Sequence, residues 1–178
     1  MSSTPLKEVA RFMTAQSLLL TTAESCTAGL IASHLADVPG AGELLESACV
    51  TYSPGAKQRR LGVSPDTIAR FNLTSEQVAA EMAQGALRSS QANLAVANTG
   101  VTDNIDPAIP AGTQCFAWLF SGKDGQPPRL FTETRRFNGA RNDIRDQAAR
   151  HALSRIPFYY AAFKGGDTLS EVATPGPS

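Results

Sequence analysis

The residues best suited to chemistry lie in one short segment, Glu24-Ser25-Cys26-Thr27, between an apolar run and a helical stripe. A serine at the mouth of a helix faces free backbone N–H groups and the positive end of the helix dipole, which favour developing negative charge. Ser25 is therefore a candidate nucleophile. Because Ser and Thr are also preferred N-cap residues, the alternative is that Ser25 or Thr27 simply caps the helix. Cys26 is a second candidate nucleophile, although an isolated cysteine is usually a small buried hydrophobe.

A serine hydroxyl needs a base, and Lys57 is the candidate. Tyr52 precedes it across a Ser53-Pro54 turn, so both side chains could point from a strand end and the following turn into one pocket. Lysine acts as a base only when burial or a nearby cation lowers its pKa. The alternative is an ordinary solvated lysine, since lysine is almost never fully buried without a partner.

Two arginines could bind an anion. Arg141 and Arg145 are four residues apart in the opening turns of a predicted helix, where positive charge opposes the helix dipole. An anionic ligand would account for this placement. The alternative is surface pairing with nearby acidic residues, which are Asp143, Asp146 and Glu133.

The composition excludes several classes of function. Among 178 residues, 16 basic and 16 acidic side chains balance to a net charge of zero, which does not suggest nucleic-acid binding. The 3 cysteines form no CxxC pair, so neither disulfides nor structural zinc are expected, and no cofactor or metal is predicted. No apolar run is long enough to span a bilayer, and the N-terminus is amphipathic. We therefore expect a cytoplasmic protein that contacts no membrane.

The elements that must position these residues alternate along the chain. Hydrophobic periodicity and capping residues predict helices over 5–16, 27–36, 75–90 and 140–156, with further short helices opening at Ser53-Pro54 and Ser64-Pro65. Apolar runs predict strands over 17–22, 48–53, 94–97, 115–120 and 130–137. The last two strands are too close for a crossover helix and are expected to be antiparallel.

This order predicts an α/β fold, a three-layer αβα sandwich with a mixed, mostly parallel sheet. Ligands of such sheets bind beyond the carboxyl ends of the strands, where the candidate residues collect. We expect a single domain over residues 1–163. The tail 164–178, rich in Gly, Pro, Ser and Thr, is predicted to be disordered.

Several segments together carry a resemblance to a known family. They are Thr22-Ala23-Glu24-Ser25-Cys26-Thr27, Val50-Thr51-Tyr52-Ser53, Ala56-Lys57, Leu61-Gly62-Val63, 81–86, 94–97 before Thr99-Gly100, 110–113 and 137–145. In this order, and over roughly residues 6–160, the chain resembles the CinA C-terminal domain family, which includes the nicotinamide mononucleotide amidases. Members resemble a compact three-layer α/β domain without a metal.

The resemblance implies hydrolysis of nicotinamide mononucleotide to nicotinic acid mononucleotide and ammonia. Ser25 would be the nucleophile, Lys57 the base, and Tyr52 would orient or relay the proton, while backbone N–H groups at the helix start or near Thr99-Gly100 would stabilise the oxyanion. Arg141 or Arg145 would hold the phosphate. The expected substrate-binding residues are Glu24, Thr27, Thr99, Gly100, Arg141 and Arg145. The expected partners are this small nucleotide and, since folds of this size often self-associate, further copies of the chain.

The chain also departs from the family pattern. Ala28-Gly29 stands in place of Gly-Gly, Ala41-Gly42 in place of Ser-Ser, and Ala140 in place of an aspartate. A glycine-rich loop is replaced by residues 101–106, whose two carboxylates would repel a phosphate. Three hypotheses follow: an active serine amidase, a catalytically silent paralogue that binds a nucleotide or other small ligand in the same pocket, and an interaction module without such a site.

Overall fold

The centre of the fold is a mixed β-sheet. The computed structural model describes residues 5–122 and 125–165, and within them the sheet has five strands in the order β2-β1-β3-β4-β5. The strands are β1 (Leu20–Glu24), β2 (Leu45–Val50), β3 (Leu94–Gly100), β4 (Thr113–Phe120) and β5 (Arg129–Arg136). β1 pairs in parallel with β2 and β3, whereas β4 is antiparallel to β3 and β5. Only β4 therefore runs against the other four, which confirms the predicted mixed, mostly parallel sheet.

Helices cover both faces of this sheet. Those in the described residues are α1 (Leu6–Ala15), α2 (Leu30–Ala36), α3 (Pro54–Leu61), α4 (Pro65–Phe71), α5 (Glu76–Arg88), α6 (Arg141–Ser154) and α7 (Ile156–Gly165). Helices α1, α2, α6 and α7 share one buried cluster with the sheet, and α3, α4 and α5 share the other. The predicted α/β sandwich is thus confirmed. Within residues 5–122 and 125–165, no helix combines the length and apolarity needed to cross a membrane.

The two faces of the sheet differ in side-chain size. On β4, the alternate residues Phe116, Trp118 and Phe120 fill the face toward α6 and α7. The opposite face carries small residues such as Ala95 and Ala117, which let α5 pack close to the strands. Large side chains therefore fill the space between the sheet and helices α6 and α7, whereas α5 packs directly against the backbone of the strands.

Some boundaries differ from the sequence prediction. The first strand was predicted over 17–22 but spans Leu20–Glu24, because its polar residues are buried between two neighbouring strands and apolarity does not mark it. The next strand was predicted over 48–53 but spans Leu45–Val50. The helix predicted from residue 27 begins at Leu30, since Ala28 and Gly29 have φ of 47° and 95°.

The C-terminal end also differs. The predicted helix 140–156 ends at Ser154, and a separate helix, α7, begins at Ile156. Pro157 marks this break, because proline is tolerated in the first turn of a helix but not in its interior. Residues 164 and 165, predicted to belong to a disordered tail, are helical. The remainder of the predicted tail, 166–178, lies outside the described residues.

Candidate active site

A cavity of about 340 Å³ opens at the carboxyl ends of the parallel strands β1, β2 and β3. Its volume lies within the range of small-ligand pockets, about 300–1,000 Å³. The lining residues are Ser25, Cys26, Tyr52, Lys57, Asn72, Leu73, Thr74, Thr99, Gly100, Val101, Thr102, Ile105, Asp106, Ile109 and Arg141. Six of the nine predicted site residues are therefore brought to one cavity, and Glu24, Thr27 and Arg145 are not among its lining.

Ser25 lies in the turn that follows β1, and β3 holds that turn in place. The Ser25 N–H donates to the Asn98 carbonyl oxygen at 3.0 Å, and the Thr27 N–H donates to Asn98 Oδ1 at 3.1 Å. Neither Ser25 nor Thr27 is the N-cap of α2, since that position belongs to Gly29. The simple capping interpretation of the two hydroxyl residues is therefore wrong.

Lys57 reaches Ser25 from α3. Ser53 caps this helix by accepting from the Ala56 N–H at 3.1 Å, Pro54 opens it, and Gly62 ends it in the left-handed conformation. Lys57 is 1% exposed, and its Nζ donates to Ser25 Oγ at 2.8 Å. Burial lowers the pKa of Lys57 from 10.5 to about 8. The structure therefore rejects the solvated-lysine interpretation.

Two main-chain carbonyls complete the surroundings of Lys57. Its Nζ donates to the Thr51 oxygen at 2.7 Å and to the Tyr52 oxygen at 3.3 Å. Among the described residues no carboxylate forms an ion pair with it. The amine is thus held by neutral acceptors in a place that disfavours its positive charge.

Glu24 does not face the cavity, which corrects its predicted role in substrate binding. Its side chain is fully buried and accepts five hydrogen bonds, from the Thr22 and Thr27 hydroxyls and from the N–H groups of Gly29, Ile31 and Ala32. A carboxylate thereby satisfies the N-terminal N–H groups of α2, which would otherwise lack acceptors. The start of α2 is consequently closed to an external anion.

Cys26 keeps a free main-chain donor. Within residues 5–122 and 125–165, its N–H has no hydrogen-bond acceptor, whereas the N–H groups of Ser25, Thr27 and Ala28 are all bonded. The Cys26 side chain is 4% exposed and accepts from Gln114 Nε2 at 3.3 Å. Burial raises the pKa of the Cys26 thiol. The residue next to Ser25 therefore combines an available N–H with a thiol that stays protonated.

The Tyr52 side chain lies at the mouth of the cavity. Among the described residues its hydroxyl bonds to Arg141 and not to Ser25 or Lys57, between which the proton would pass. Its hydroxyl accepts from Arg141 Nη2 at 3.2 Å, and the residue is 57% exposed. Arg141 also donates through Nη1 to Thr102 Oγ1 at 2.8 Å and to Asp103 Oδ2 at 2.7 Å. Tyr52 thus accepts a hydrogen bond from Lys57 through its carbonyl oxygen and one from Arg141 through its hydroxyl.

Arg145 braces the turn that carries Ser25. Its Nε donates to the Cys26 carbonyl oxygen at 2.9 Å, and Nη2 donates to the Thr27 carbonyl oxygen at 3.4 Å. Of the two predicted phosphate ligands, only Arg141 lines the cavity. The predicted alternative of pairing with Asp143, Asp146 or Glu133 is also wrong for both residues. Arg141 pairs with Asp103, and Arg145 donates to main-chain carbonyl oxygens.

Comparison with known proteins assigns the chain to a family. The family model described as the CinA C-terminal domain matches residues 3–158. The chain belongs to the CinA C-terminal domain family. It is 39% identical over 148 residues to the nicotinamide-nucleotide amidohydrolase PncC of Enterobacter agglomerans, covering 82% of this chain and 87% of that protein.

This chain spans less than half the length of several other CinA relatives. A protein of Symbiobacterium thermophilum, named for the competence-damage inducible proteins, is 38% identical over 160 residues, which are 87% of this chain and 38% of that protein.

The solved structure of a CinA superfamily protein from Klebsiella pneumoniae 700603 matches with a TM-score of 0.81 at 33% identity, covering 88% of this chain and 96% of that one. The fold is therefore that of the CinA superfamily.

Two residues that were not predicted from the sequence link β3 and β4 beside Ser25. Asn98 and Gln114 are fully buried, and Asn98 Nδ2 donates to Gln114 Oε1 at 2.9 Å. Gln114 Nε2 also donates to the Val101 carbonyl oxygen at 3.0 Å. A polar residue at the end of a buried strand is the one signal that could have marked Asn98. The predicted contact residue Thr99 uses its hydroxyl on the Leu73 carbonyl oxygen, at 2.9 Å.

Proposed function

We propose that this chain is a nicotinamide-nucleotide amidohydrolase in which Ser25 attacks the carboxamide and Lys57 is the base. The observation that carries the proposal is the 2.8 Å contact between Lys57 Nζ and Ser25 Oγ at the floor of a cavity. The name of the Enterobacter relative, nicotinamide-nucleotide amidohydrolase, supports an amide as the substrate. The reaction would convert nicotinamide mononucleotide to nicotinic acid mononucleotide and ammonia.

The surroundings of Lys57 suit a neutral amine. A neutral amine has two N–H donors and one lone pair; the Thr51 and Tyr52 carbonyl oxygens can take the two donors. The lone pair then faces Ser25 Oγ and accepts its proton. With a pKa of about 8, a useful fraction of Lys57 is neutral near neutral pH. A cationic pyridinium ring in the cavity would lower this pKa further.

The reaction then follows from these groups. Ser25 Oγ attacks the carboxamide carbon while its proton passes to Lys57 Nζ. The developing oxyanion would be stabilised by the free Cys26 N–H, since the N–H groups of α2 are already bonded to Glu24. Lys57 returns the proton to the leaving nitrogen, ammonia departs, and water hydrolyses the acyl-serine ester with Lys57 again as base. The raised pKa of the Cys26 thiol disfavours this residue as the nucleophile.

One observation favours a second candidate, a silent member that binds a small ligand. Arg141, the cavity-lining arginine predicted to hold the phosphate, is already paired with Asp103 at 2.7 Å. A pocket without a free phosphate ligand could bind without turnover. This second candidate uses the same cavity for binding but does not hydrolyse the amide.

Ammonia release separates the two candidates. Purified protein is incubated with nicotinamide mononucleotide beside Ser25→Ala and Lys57→Met, with Lys164→Met as the matched control because Lys164 is an exposed helical lysine. Circular dichroism confirms folding of each variant. Turnover in the unmutated and Lys164 proteins but in neither site variant supports the amidase, whereas binding without ammonia release supports the silent paralogue. Release that survives in Ser25→Ala would contradict the serine mechanism.

A further inference from the structure

The rim of the cavity carries an arginine that already makes three hydrogen bonds within the protein. Arg141 Nη1 contacts Asp103 Oδ2 at 2.7 Å and Thr102 Oγ1 at 2.8 Å, and Nη2 contacts the Tyr52 hydroxyl at 3.2 Å. The Arg141 and Asp103 side chains are 52% and 58% exposed. These contacts join the start of α6 to the loop after β3 and to the end of β2, across the opening of the cavity.

Among the described residues that line the cavity, no second cation can replace Arg141. Among the described lining residues the other cation is Lys57, which is buried and bonded to Ser25. The remaining charged lining residue is Asp106, whose carboxylate accepts from Asn72 Nδ2 and the Ala108 N–H, both at 2.9 Å. A phosphate entering this cavity therefore meets one guanidinium, whose charge the Asp103 carboxylate already partners.

Carboxylate and phosphate oxygens suit the same guanidinium N–H groups. A phosphate must either displace Asp103 from Arg141 or approach a guanidinium whose charge is already balanced, with the Asp103 carboxylate close by. An uncharged sugar end leaves the Arg141–Asp103 pair intact.

We propose that Asp103 is a specificity-determining residue. It competes with the substrate phosphate for Arg141 and so lowers the preference of the pocket for a pyridinium nucleotide over the corresponding nucleoside. This inference rests on the proposed function. Asp103 then acts on substrate choice rather than on the chemical step, so its replacement should change KM and leave kcat nearly constant.

The test compares nicotinamide mononucleotide with nicotinamide riboside in the unmutated protein and in Asp103→Asn. Asparagine keeps the size of the side chain and removes its charge. We expect KM for the nucleotide to fall about tenfold, which corresponds to about 1.4 kcal/mol, while kcat changes less than about twofold. The constants for the riboside should stay unchanged. The ratio of kcat/KM between nucleotide and riboside therefore rises about tenfold.

Asp143→Asn is the matched control. Asp143 lies two residues from Arg141 and accepts from the Ala140 N–H at 3.0 Å, so it offers a nearby carboxylate that is not paired with Arg141. Asparagine keeps a side-chain oxygen that can accept from the Ala140 N–H. The nucleotide-to-riboside ratio should not change in this variant. An equal rise in both variants would assign the effect to net charge alone and overturn the proposal.

Calorimetric binding to Ser25→Ala keeps the inference separate from the proposed function. If the unmutated protein releases no ammonia, the amidase proposal fails, yet nucleotide and riboside affinities can still be measured with and without Asp103→Asn. Tighter binding of the nucleotide alone supports the role of Asp103. Weaker nucleotide binding, or the same change for both ligands, overturns it.

Discussion

Lys57 Nζ and Ser25 Oγ lie 2.8 Å apart although 32 residues separate them in the chain. The contact joins the end of β1 to the first turns of α3, and both residues are buried, at 1% and 8% exposure. Lysine gains no ion-pair partner there among the described residues. A buried cation without a counter-ion costs stability, so the same contact that suits catalysis should weaken the fold.

The first prediction concerns the pH dependence of turnover. Only neutral Lys57 can accept the Ser25 proton, and its pKa of about 8 means that the neutral fraction rises with pH up to that value. We expect kcat/KM to increase about tenfold per pH unit below about pH 8 and to level off above it. Ammonia release measured between about pH 6.5 and 9.5 checks this. A flat profile over that range would exclude Lys57 as the base.

The second prediction is that Lys57→Met stabilises the protein while abolishing turnover. Lowering the lysine pKa from 10.5 to about 8 corresponds to about 3 kcal/mol of unfavourable burial. Loss of the donors to the Thr51 and Tyr52 carbonyl oxygens offsets about 2 kcal/mol. The free energy of unfolding at pH 7 should therefore rise by about 1 kcal/mol, as measured by urea denaturation.

The sign of the pH effect gives an internal control for that variant. Between about pH 8 and 10.5 the unfolded lysine holds a proton that the folded lysine has lost, so the unmutated protein gains about 1.4 kcal/mol per pH unit relative to Lys57→Met. The advantage of the variant should shrink and then reverse as the pH rises. A difference that stays constant across this window would show that burial of the charge is not its cause.

The third prediction is that Glu24→Gln strongly destabilises the fold. Glutamine replaces one acceptor oxygen of the fully buried Glu24 by an NH₂ group, which then faces N–H or O–H donors. We expect a loss of about 2–4 kcal/mol in the free energy of unfolding. Glu81→Gln is the control, since Glu81 is partly exposed and accepts two hydrogen bonds, from Ser64 N–H and Thr67 Oγ1. Equal losses in both variants would argue against a special role of Glu24.

The fourth prediction concerns Ala28, which has a φ of 47°. A residue with a Cβ is unfavourable in this left-handed region by about 1 kcal/mol, and glycine is not. Ala28→Gly should therefore stabilise the protein by about 0.5 kcal/mol, after the greater freedom of glycine in the unfolded chain is subtracted. Thermal unfolding should show the opposite sign for Ala161→Gly, because Ala161 is exposed in the interior of α7. A loss of stability in both would exclude strain at Ala28.

The sequence by itself determined the kind of fold and was enough to propose Ser25 and Lys57 as site residues. Periodicity and turn residues were enough to predict helices on both faces of a mixed sheet, because amphipathic faces must be buried. Ser25 and Lys57 could be placed as candidates because each follows a predicted strand, and the carboxyl ends of parallel strands meet at one edge. Their expected roles came from the resemblance to the CinA C-terminal domain family. These are properties of local segments and of the rules by which segments pack.

The tertiary structure alone decided what the neighbouring polar residues do. Glu24 and Arg145 have charges typical of ligand-binding residues, yet one satisfies the N–H groups of α2 and the other holds the carbonyls of the Ser25 turn. Arg141 and Asp103 meet across 38 residues of chain. Such partners depend on distances between separate elements, and hydrophobic patterning does not encode which side-chain donor meets which acceptor.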